Sequence, residues 1–274
     1  MSSIITKVFV AALAFGVVHA LPNPIQPSQS ISSVAVPSNT STVAPPTATP
    51  VDNTALIIEL ETAPTAIKRF QKLLTAAGQK LLSVAELQKI VVFDFNGATP
   101  SPGAKGGAVK AATIENFPIL TDLGISTTLG FLGPCGMNSP HIHPRATEFL
   151  TVVEGEVDFG YILENGLVQA PNPSEITGHL NKFQGTVFPM GSIHYQVNPT
   201  CSPSTFVATL NSDDPGTSQI AQNFLGLNSG VVNATLGFPQ TLNGEDLETF
   251  RNMIPANIAL GIESCLAKCG IPKK

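Results

Sequence analysis

Hydrophobic and polar residues alternate with a period of two along the middle of the chain. Val157, Phe159 and Tyr161 occupy one side of such a run, and Asn165-Gly166, a pair that favours a tight hairpin turn, follows it. Similar short apolar runs, separated by Gly and Pro, lie at residues 149–153, 186–188, 193–197 and 206–210. Many short strands at such close spacing predict a β sandwich, jelly roll or barrel.

A helical period replaces this alternation before the β region. Ile67, Phe70 and Leu74 recur at intervals of three and four residues, which predicts an amphipathic helix. Ser83, followed three residues later by Glu86, predicts a capping box at the start of a second short helix. We expect the helices of residues 55–90 to pack against the β unit or against a neighbouring subunit.

The apolar spacing becomes helical again in residues 215–274. Phe250 and Met253 predict one helix, which Pro255 interrupts. A second helix is expected to run through Ile258 and Ile262 toward the end of the chain. No internal repeat is present, so we expect one β unit with helices on both sides.

The first twenty residues have the pattern of a secretory signal peptide. Lys7 precedes an apolar run at residues 8–18, and small residues stand at the expected cleavage site near Ala20. A membrane anchor is the alternative, but the run is shorter than the roughly 20 residues that span a bilayer, and Pro22 follows closely. We therefore expect a protein that is secreted, extracellular or in the cell wall, with no membrane span.

The composition of residues 21–54 differs from that of the rest of the chain. Pro, Ser, Thr, Val and Ala dominate there without periodicity, which predicts a disordered linker. Two N-glycosylation sequons occur, one at Asn39 in this segment and one at Asn233. Both are candidate glycan sites in a secreted glycoprotein.

The charge of the chain narrows its classes of partner. Its 274 residues carry a formal net charge of −5, which argues against a nucleic-acid partner.

The chain has five His, and one of them, His19, is expected to be removed with the signal peptide. Three of the remaining four lie in two short β-turn segments, so they are the first candidates for chemistry.

The side chains of these two segments form a candidate set of metal ligands. His141 and His143 are two residues apart, so both imidazoles leave the same face of an extended strand, and Glu148 follows after a turn. In the second segment His194 opens a strand after a Pro-x-Gly turn. Three imidazoles and one carboxylate suit a divalent metal of the Mn or Fe type with open coordination positions. His179 lies outside both segments and is expected to be a surface or strand residue.

Both segments also resemble a known family. The first resembles motif 1 of the cupin superfamily through His141, His143, Glu148 and Gly155. The second resembles motif 2 through Pro189, Gly191, His194 and Asn198. The sequence of residues 140–148 is similar to the corresponding motif of germins and germin-like proteins, including the spherulin-like members of fungi and slime moulds. Cys135 and Phe183 stand where the two motifs begin with Gly.

The resemblance implies a fold, a metal and an assembly. The fold is mainly β, a single cupin barrel (a double-stranded β-helix, or jelly roll) at residues 91–214, flanked by N- and C-terminal α-helices. Mn²⁺, or another divalent ion such as Fe, is expected inside it on His141, His143, Glu148 and His194. Germins assemble through barrel packing and C-terminal helices, so a homo-oligomer, a trimer or hexamer, is expected.

The resemblance leaves the reaction open among small-molecule substrates. Some germins oxidise oxalate with O2 to CO2 and hydrogen peroxide, others dismutate superoxide, and the metal ligands do not separate the two reactions. Asn138 and Gln196 match amide residues that orient the substrate or dioxygen in the oxalate oxidases, whereas Thr128 stands where a further Asn would fall. Asn138 and Gln196 are therefore candidate catalytic residues, or they only satisfy local hydrogen bonds. A non-catalytic wall, matrix or storage protein with a structural metal is the alternative function.

Four Cys allow three pairings. Cys135 precedes the first motif and Cys201 follows the second, and because those segments should lie on neighbouring strands we expect a Cys135–Cys201 disulfide. Cys265 and Cys269 are four residues apart near the end of a predicted helix, so a Cys265–Cys269 disulfide is also expected.

Overall fold

The computed structural model describes residues 51–239 and 246–273. The expected signal peptide, residues 21–50 of the expected linker and the sequon at Asn39 lie outside the described residues. Within the described part of the chain, no helix is both long enough and apolar enough to cross a bilayer.

The described elements are seven helices, thirteen strands and a 3-10 turn at Pro118–Leu120. The helices are α1 (Thr54–Glu61), α2 (Ala66–Leu74), α3 (Val84–Val91), α4 (Ile220–Leu225), α5 (Ser229–Thr235), α6 (Leu247–Met253) and α7 (Glu263–Cys269). The first strands are β1 (Thr75–Ala76), β2 (Lys80–Leu81), β3 (Gly107–Ala112), β4 (Ser126–Leu132), β5 (Gly136–Ile142), β6 (Glu148–Glu154) and β7 (Glu156–Ile162). They are followed by β8 (Ile176–Asn181), β9 (Gly185–Phe188), β10 (Ile193–Val197), β11 (Ser204–Leu210), β12 (Ser218–Gln219) and β13 (Ala259–Leu260).

Two antiparallel sheets form the barrel. One has the strand order β3-β4-β11-β6-β9, and the other has the order β12-β5-β10-β7-β8 with β13 also paired to β5. Burial alternates along β11 from Ser204 to Leu210, as a strand with one face toward a core requires. The architecture confirms the expected mainly β barrel with helices before and after it.

The core lies between the inner faces of the two sheets. Its fully buried members include Leu150 and Phe206 from one sheet and Val157 from the other. Each large apolar side chain buried in this way contributes roughly 1.5–3 kcal/mol relative to exposure. This packing holds together the strands that carry the candidate metal ligands.

The helix predicted to follow Ser83 begins there, as α3. The Ser83 hydroxyl accepts a hydrogen bond from the Glu86 backbone N–H, and the Glu86 carboxylate accepts one from the Ser83 N–H at 2.9 Å. This capping box satisfies N–H groups that would otherwise lack partners at the start of α3.

A β-bulge in β5 changes which side chains face the barrel interior. His194 of β10 is paired with His141 and Gln196 with Asn138, so β10 advances two residues while β5 advances three. The extra residue in β5 places Asn138 and His141 on the same side, although an odd separation would put them on opposite faces of a regular strand. The bulge therefore adds an amide to the histidine side of the strand.

The second expected C-terminal helix begins later than predicted. Ala259 and Leu260 form β13 and pair with Met137 and Gly136 of β5, and α7 begins only at Glu263. Ile258 is buried in the barrel core. The helical spacing of isoleucines was misleading because this segment lies as a strand along the edge of the sheet.

Both expected disulfide pairings are wrong. The bonds are Cys135–Cys265 and Cys201–Cys269. Cys135 and Cys201 do lie close together, since the Cys135 N–H donates to the Thr200 carbonyl at 3.0 Å. However, α7 packs across them with both of its cysteines on one face, because residues four apart share a helix face. Each thiol of the helix bonds to the barrel instead of to its helical neighbour.

The sequon residue Asn233 lies within α5, where it is half-buried. Glycosylation at this position stays a prediction.

Candidate metal centre

The two motif segments bring four buried side chains together inside the barrel. His141 lies on β5, His143 follows that strand, Glu148 opens β6 and His194 lies on β10. One ligand atom from each lies within 4.8 Å of the others. The pairing of His194 with His141 across two adjacent strands accounts for part of this convergence, because directly opposed residues face the same side.

Backbone carbonyls fix the orientation of all three imidazoles. The Nδ1 of His141 lies 2.8 Å from the Ser139 carbonyl oxygen, and the Nδ1 of His143 lies 2.6 Å from that of Gly216. The Nδ1 of His194 lies 2.9 Å from the carbonyl oxygen of Ser192. A carbonyl can only accept, so each Nδ1 carries a proton. In a neutral imidazole held in this way the lone pair is on Nε2, whereas the Nε2 of His143 shares a proton with the Glu148 carboxylate. This is the second contact that metal-binding histidines usually make.

Glu148 supplies the negative charge of the cluster. Its Oε2 lies 2.9 Å from the Nε2 of His143 and 3.5 Å from that of His194. Burial alone would raise the pKa of the Glu148 carboxyl, but the hydrogen bond from His143 and the neighbouring imidazole of His194 lower it to about 2. The carboxylate is therefore ionised and available as a ligand at neutral pH.

The two histidines of the first motif differ in their protonation. Burial, reinforced by the neighbouring His194, lowers the pKa of His141 to about 3, so its imidazole is neutral. Burial also acts to lower the pKa of His143, but the hydrogen bond and charge of Glu148 outweigh it and the pKa is raised. A metal ion at this cluster would replace the proton that His143 and Glu148 share.

The residues present fit a divalent metal ion. The Nε2 atom of His194 is buried and has no hydrogen-bond partner among the described residues. The ring of Phe188 stacks on this imidazole at 4.5 Å and restricts its orientation. A buried nitrogen atom without a hydrogen-bond partner costs free energy unless a ligand binds it. Imidazoles with a single carboxylate suit Mn, Fe and similar ions better than a closed thiolate zinc site.

A small cavity of about 130 Å³ adjoins the cluster. Its polar lining comes from His141, His143, Glu148, Asn138, Thr128, Thr217, Gln219 and Asn257. Its apolar lining comes from Val109, Ala111, Phe206, Ala208 and Leu210. Thr128, which stands where the resemblance to the oxalate oxidases implies a further Asn, thus lines the cavity from β4.

The two candidate amides meet beside the cluster. Asn138 lines the cavity and donates from Nδ2 to Oε1 of Gln196 at 2.7 Å. Gln196 is completely buried, and its Nε2 has no partner among the described residues. Their catalytic role stays a prediction.

Sequence reasoning missed two polar residues of this site. Asn257 donates to Oδ1 of Asn138 at 2.6 Å, and Gln219 accepts from the Ser139 hydroxyl at 3.0 Å. Asn257 is 119 residues from Asn138 and belongs to the segment that was expected to be helical. No local pattern marked either residue.

His179 lies outside the cluster, as expected. It is on β8, where its exposed ring contacts Asp158 at 2.7 Å and Glu156 at 3.4 Å. The hydrogen bond that His179 donates to Asp158 raises the pKa of His179.

Comparisons with known proteins bear on the barrel and its cluster. The sequence model of the cupin family matches residues 95–241. Spherulin-1A of Physarum polycephalum is 36% identical over 181 residues, which cover 65% of this chain and 70% of the spherulin. Germin-like protein subfamily 2 member 3 of Arabidopsis thaliana is 34% identical over 134 residues, covering 49% of this chain and 58% of that protein.

Solved structures with a similar fold include a recombinant oxalate oxidase in complex with glycolate. It has a TM-score of 0.48 and 24% identity, and the match covers 66% of this chain and 90% of that one.

Proposed function

This chain belongs to the cupin family, with spherulins and germin-like proteins among its relatives, and from that premise we propose that it is a secreted manganese-dependent oxidoreductase. Its substrate is oxalate with O2, or superoxide, and its product is hydrogen peroxide. The metal is Mn²⁺ or a similar divalent ion held by His141, His143, Glu148 and His194.

One observation carries the proposal. In a buried cluster, three imidazoles and one carboxylate bring one ligand atom each within 4.8 Å of one another, while every Nδ1 is held by a backbone carbonyl. Such an arrangement costs free energy in an empty core, because buried polar atoms lose their water without gaining partners. A bound metal ion would give the unpaired Nε2 of His194 a partner and would coordinate the other three groups as well.

A redox-active ion at this position would exchange single electrons with a small oxygen-containing ligand. Oxalate oxidation consumes one oxalate dianion, one O2 and two protons and forms two CO2 and one hydrogen peroxide. Superoxide dismutation consumes two superoxide ions and two protons and forms O2 and hydrogen peroxide. The protein residues hold the ligands rigidly, exclude bulk water and direct amide groups at the cavity.

The cavity size supports a small substrate. A volume of about 130 Å³ corresponds to roughly four water molecules. Oxalate or superoxide fits such a space. Asn138 on one side and Thr128 on another offer hydrogen-bonding groups to the bound molecule.

Secretion and self-association belong to the same proposal. Two disulfides are typical of a protein that matures in an oxidising compartment, and the N-terminal signal pattern agrees. A trimer or hexamer is proposed from the resemblance to germins.

Thr128 favours a second candidate function. Its side chain is shorter than an amide and offers a hydroxyl instead, which weakens the argument for oxalate. The alternative is a non-catalytic extracellular protein in which the metal only stabilises the barrel.

One preparation of the secreted protein tests these proposals. Metal content, oxalate-dependent peroxide release and superoxide dismutation are measured on the same sample of wild type, His141→Ala and His179→Ala. We expect bound manganese in wild type and in the His179→Ala control, and its loss in His141→Ala, because only His141 belongs to the cluster.

The results separate the candidates. Peroxide that depends on oxalate supports the oxidase, and dismutation without oxalate turnover supports the dismutase. Stoichiometric metal with neither activity supports the non-catalytic protein. A well-folded wild type that binds no divalent metal refutes the metal site itself.

A further inference from the structure

Three carboxamide side chains form a continuous hydrogen-bonded chain beside the metal cluster. Asn257 donates from Nδ2 to Oδ1 of Asn138 at 2.6 Å, and Asn138 donates from Nδ2 to Oε1 of Gln196 at 2.7 Å. The other end of Asn257 accepts from the backbone N–H of Ser139 at 2.8 Å. Each amide therefore determines the orientation of the next.

The direction of this chain is fixed by chemistry. A backbone N–H can only donate, so the atom of Asn257 that faces Ser139 must be its oxygen. The amide nitrogen of Asn257 then faces Asn138, which must present its own oxygen. Asn138 in turn has only its nitrogen left for Gln196, which must accept through Oε1.

This order leaves Gln196 with a donor at the end of the chain. Its Nε2 is buried and has no partner among the described residues. Gln196 lies two residues after His194, so both side chains leave β10 on the same face. The end of the chain on the His194 side of β10 is therefore an N–H donor, not a carbonyl oxygen.

Asn257 comes from a part of the chain beyond the residues that match the cupin model. β13 follows it and pairs with β5, and α7 is then joined to Cys135 and Cys201 by disulfides. On its other side the Pro255 carbonyl accepts from the Gln222 side chain at 2.9 Å. These contacts hold Asn257 in place against the metal-bearing strand.

We propose that Asn257 is a positioning residue that fixes the polarity of the amide chain, so that Gln196 presents an N–H donor to a ligand at the metal cluster. The site then prefers ligands with an accepting oxygen or nitrogen atom. The inference about ligand preference rests on the proposed metal-dependent function, whereas the polarity itself is a property of the chain alone.

Nuclear magnetic resonance of the metal-free, ¹⁵N-labelled protein tests the polarity. In wild type, one amide proton of Asn138 is shifted downfield by its hydrogen bond, and both amide protons of Gln196 are not. In Asn257→Asp at pH 8 the carboxylate cannot donate, so Asn138 turns its nitrogen to residue 257 and its oxygen to Gln196. The downfield proton then appears on Gln196 and the Asn138 proton stays bonded. An unchanged Gln196 pair in a folded variant would overturn the proposal.

Azide binding to the cobalt-loaded full chain, followed by visible absorption, tests the consequence. Loss of one hydrogen bond to an anion corresponds to roughly 10- to 100-fold weaker binding, which we expect for Asn257→Asp. Asn252→Asp is the matched control, because it adds the same charge at an exposed position of α6 outside the cavity. Asn257→Leu frees Gln196 to take either orientation, so a smaller loss is expected.

A double-mutant cycle separates polarity from charge. If Asn257 acts through Gln196, the loss caused by Asn257→Asp shrinks about tenfold in a Gln196→Leu background, because the donor is already gone. An equal loss in both backgrounds would show that Asn257 acts only through charge or packing. Failure of the folded wild type to bind cobalt would count against the proposed function, while the spectra of the metal-free protein would still decide the polarity.

Discussion

The two disulfides that attach α7 to the barrel are expected to restrict the unfolded chain equally, although their sequence separations are 130 and 68 residues. The perturbations are the pairs of substitutions Cys135→Ala with Cys265→Ala and Cys201→Ala with Cys269→Ala. Each pair removes one bond and leaves the other intact. The loop that matters is therefore the one closed in the presence of the remaining disulfide.

That loop has almost the same length in the two cases. With Cys201–Cys269 intact, the path from Cys135 runs to Cys201, crosses the bond and returns from Cys269 to Cys265, roughly 70 residues in all. With Cys135–Cys265 intact, the direct path between Cys201 and Cys269 is 68 residues. Chain-entropy reasoning then gives about 4.4 kcal/mol for either bond.

Packing separates the two pairs. Cys135 and Cys265 are buried in a small cluster with Leu266, whereas Cys201 is exposed. Truncating the buried pair removes these contacts as well, which we expect to cost about 1–2 kcal/mol more. Cys135→Ala with Cys265→Ala is therefore the more destabilising pair.

Urea unfolding of the metal-free protein, followed by circular dichroism, measures the two losses. Peptide mapping of single variants checks the pairing, since Cys265→Ala must leave a free thiol at Cys135 and not at Cys269. A loss below about 1 kcal/mol for either pair, or a greater loss for the exposed pair, would refute the reasoning. A free thiol at Cys269 in the Cys265→Ala variant would refute the connectivity.

Two further substitutions have outcomes that the structure determines. The pKa of His179 is raised by the hydrogen bond that it donates to Asp158, so the contribution of this pair to stability is present below pH 6.5 and is lost as the pH rises through the raised pKa. His179→Gln should reduce the free energy of unfolding at pH 5.5 by no more than about 0.5 kcal/mol, because the pair is exposed. The reduction should be smaller at pH 9, and an equal reduction at the two pH values would contradict the ion pair. Gly130→Ala places a methyl group against the ring of Phe206 in the core, so we expect about 1–3 kcal/mol of destabilisation in the same urea assay, and an unchanged midpoint would show that the ring moves freely.

The parts of the fold that could be predicted depend on local patterns. Alternation at Val157, Phe159 and Tyr161 marks a strand because one face of a sheet must be buried. The spacing of His141 and His143 identifies two candidate ligands because strand geometry alone puts them on one face. Ser83 and Glu86 form their capping box within a single turn of helix. None of these inferences needs information about distant parts of the chain.

The features that were missed or wrong depend on distant contacts. The isoleucine spacing near Ile258 is helical, but pairing of β13 with β5 satisfies the same backbone groups and buries Ile258 in the core. The cysteines four residues apart share a helix face, and only the position of that helix over Cys135 and Cys201 decides the pairing. Tertiary packing outweighs local propensity at both places.

The same long-range contacts explain why some residues of the site can be recognised from the sequence and others cannot. The charged and imidazole groups of the cluster come from two short segments whose spacing is visible along the chain. The orientation of the amides depends instead on Asn257, which reaches Asn138 only because β13 and the disulfides of α7 hold the C-terminal segment against β5. The candidate metal ligands and the proposed orientation of the amides thus rest on different parts of the sequence, so we expect that a substitution near the C-terminus can alter ligand preference while leaving metal binding intact.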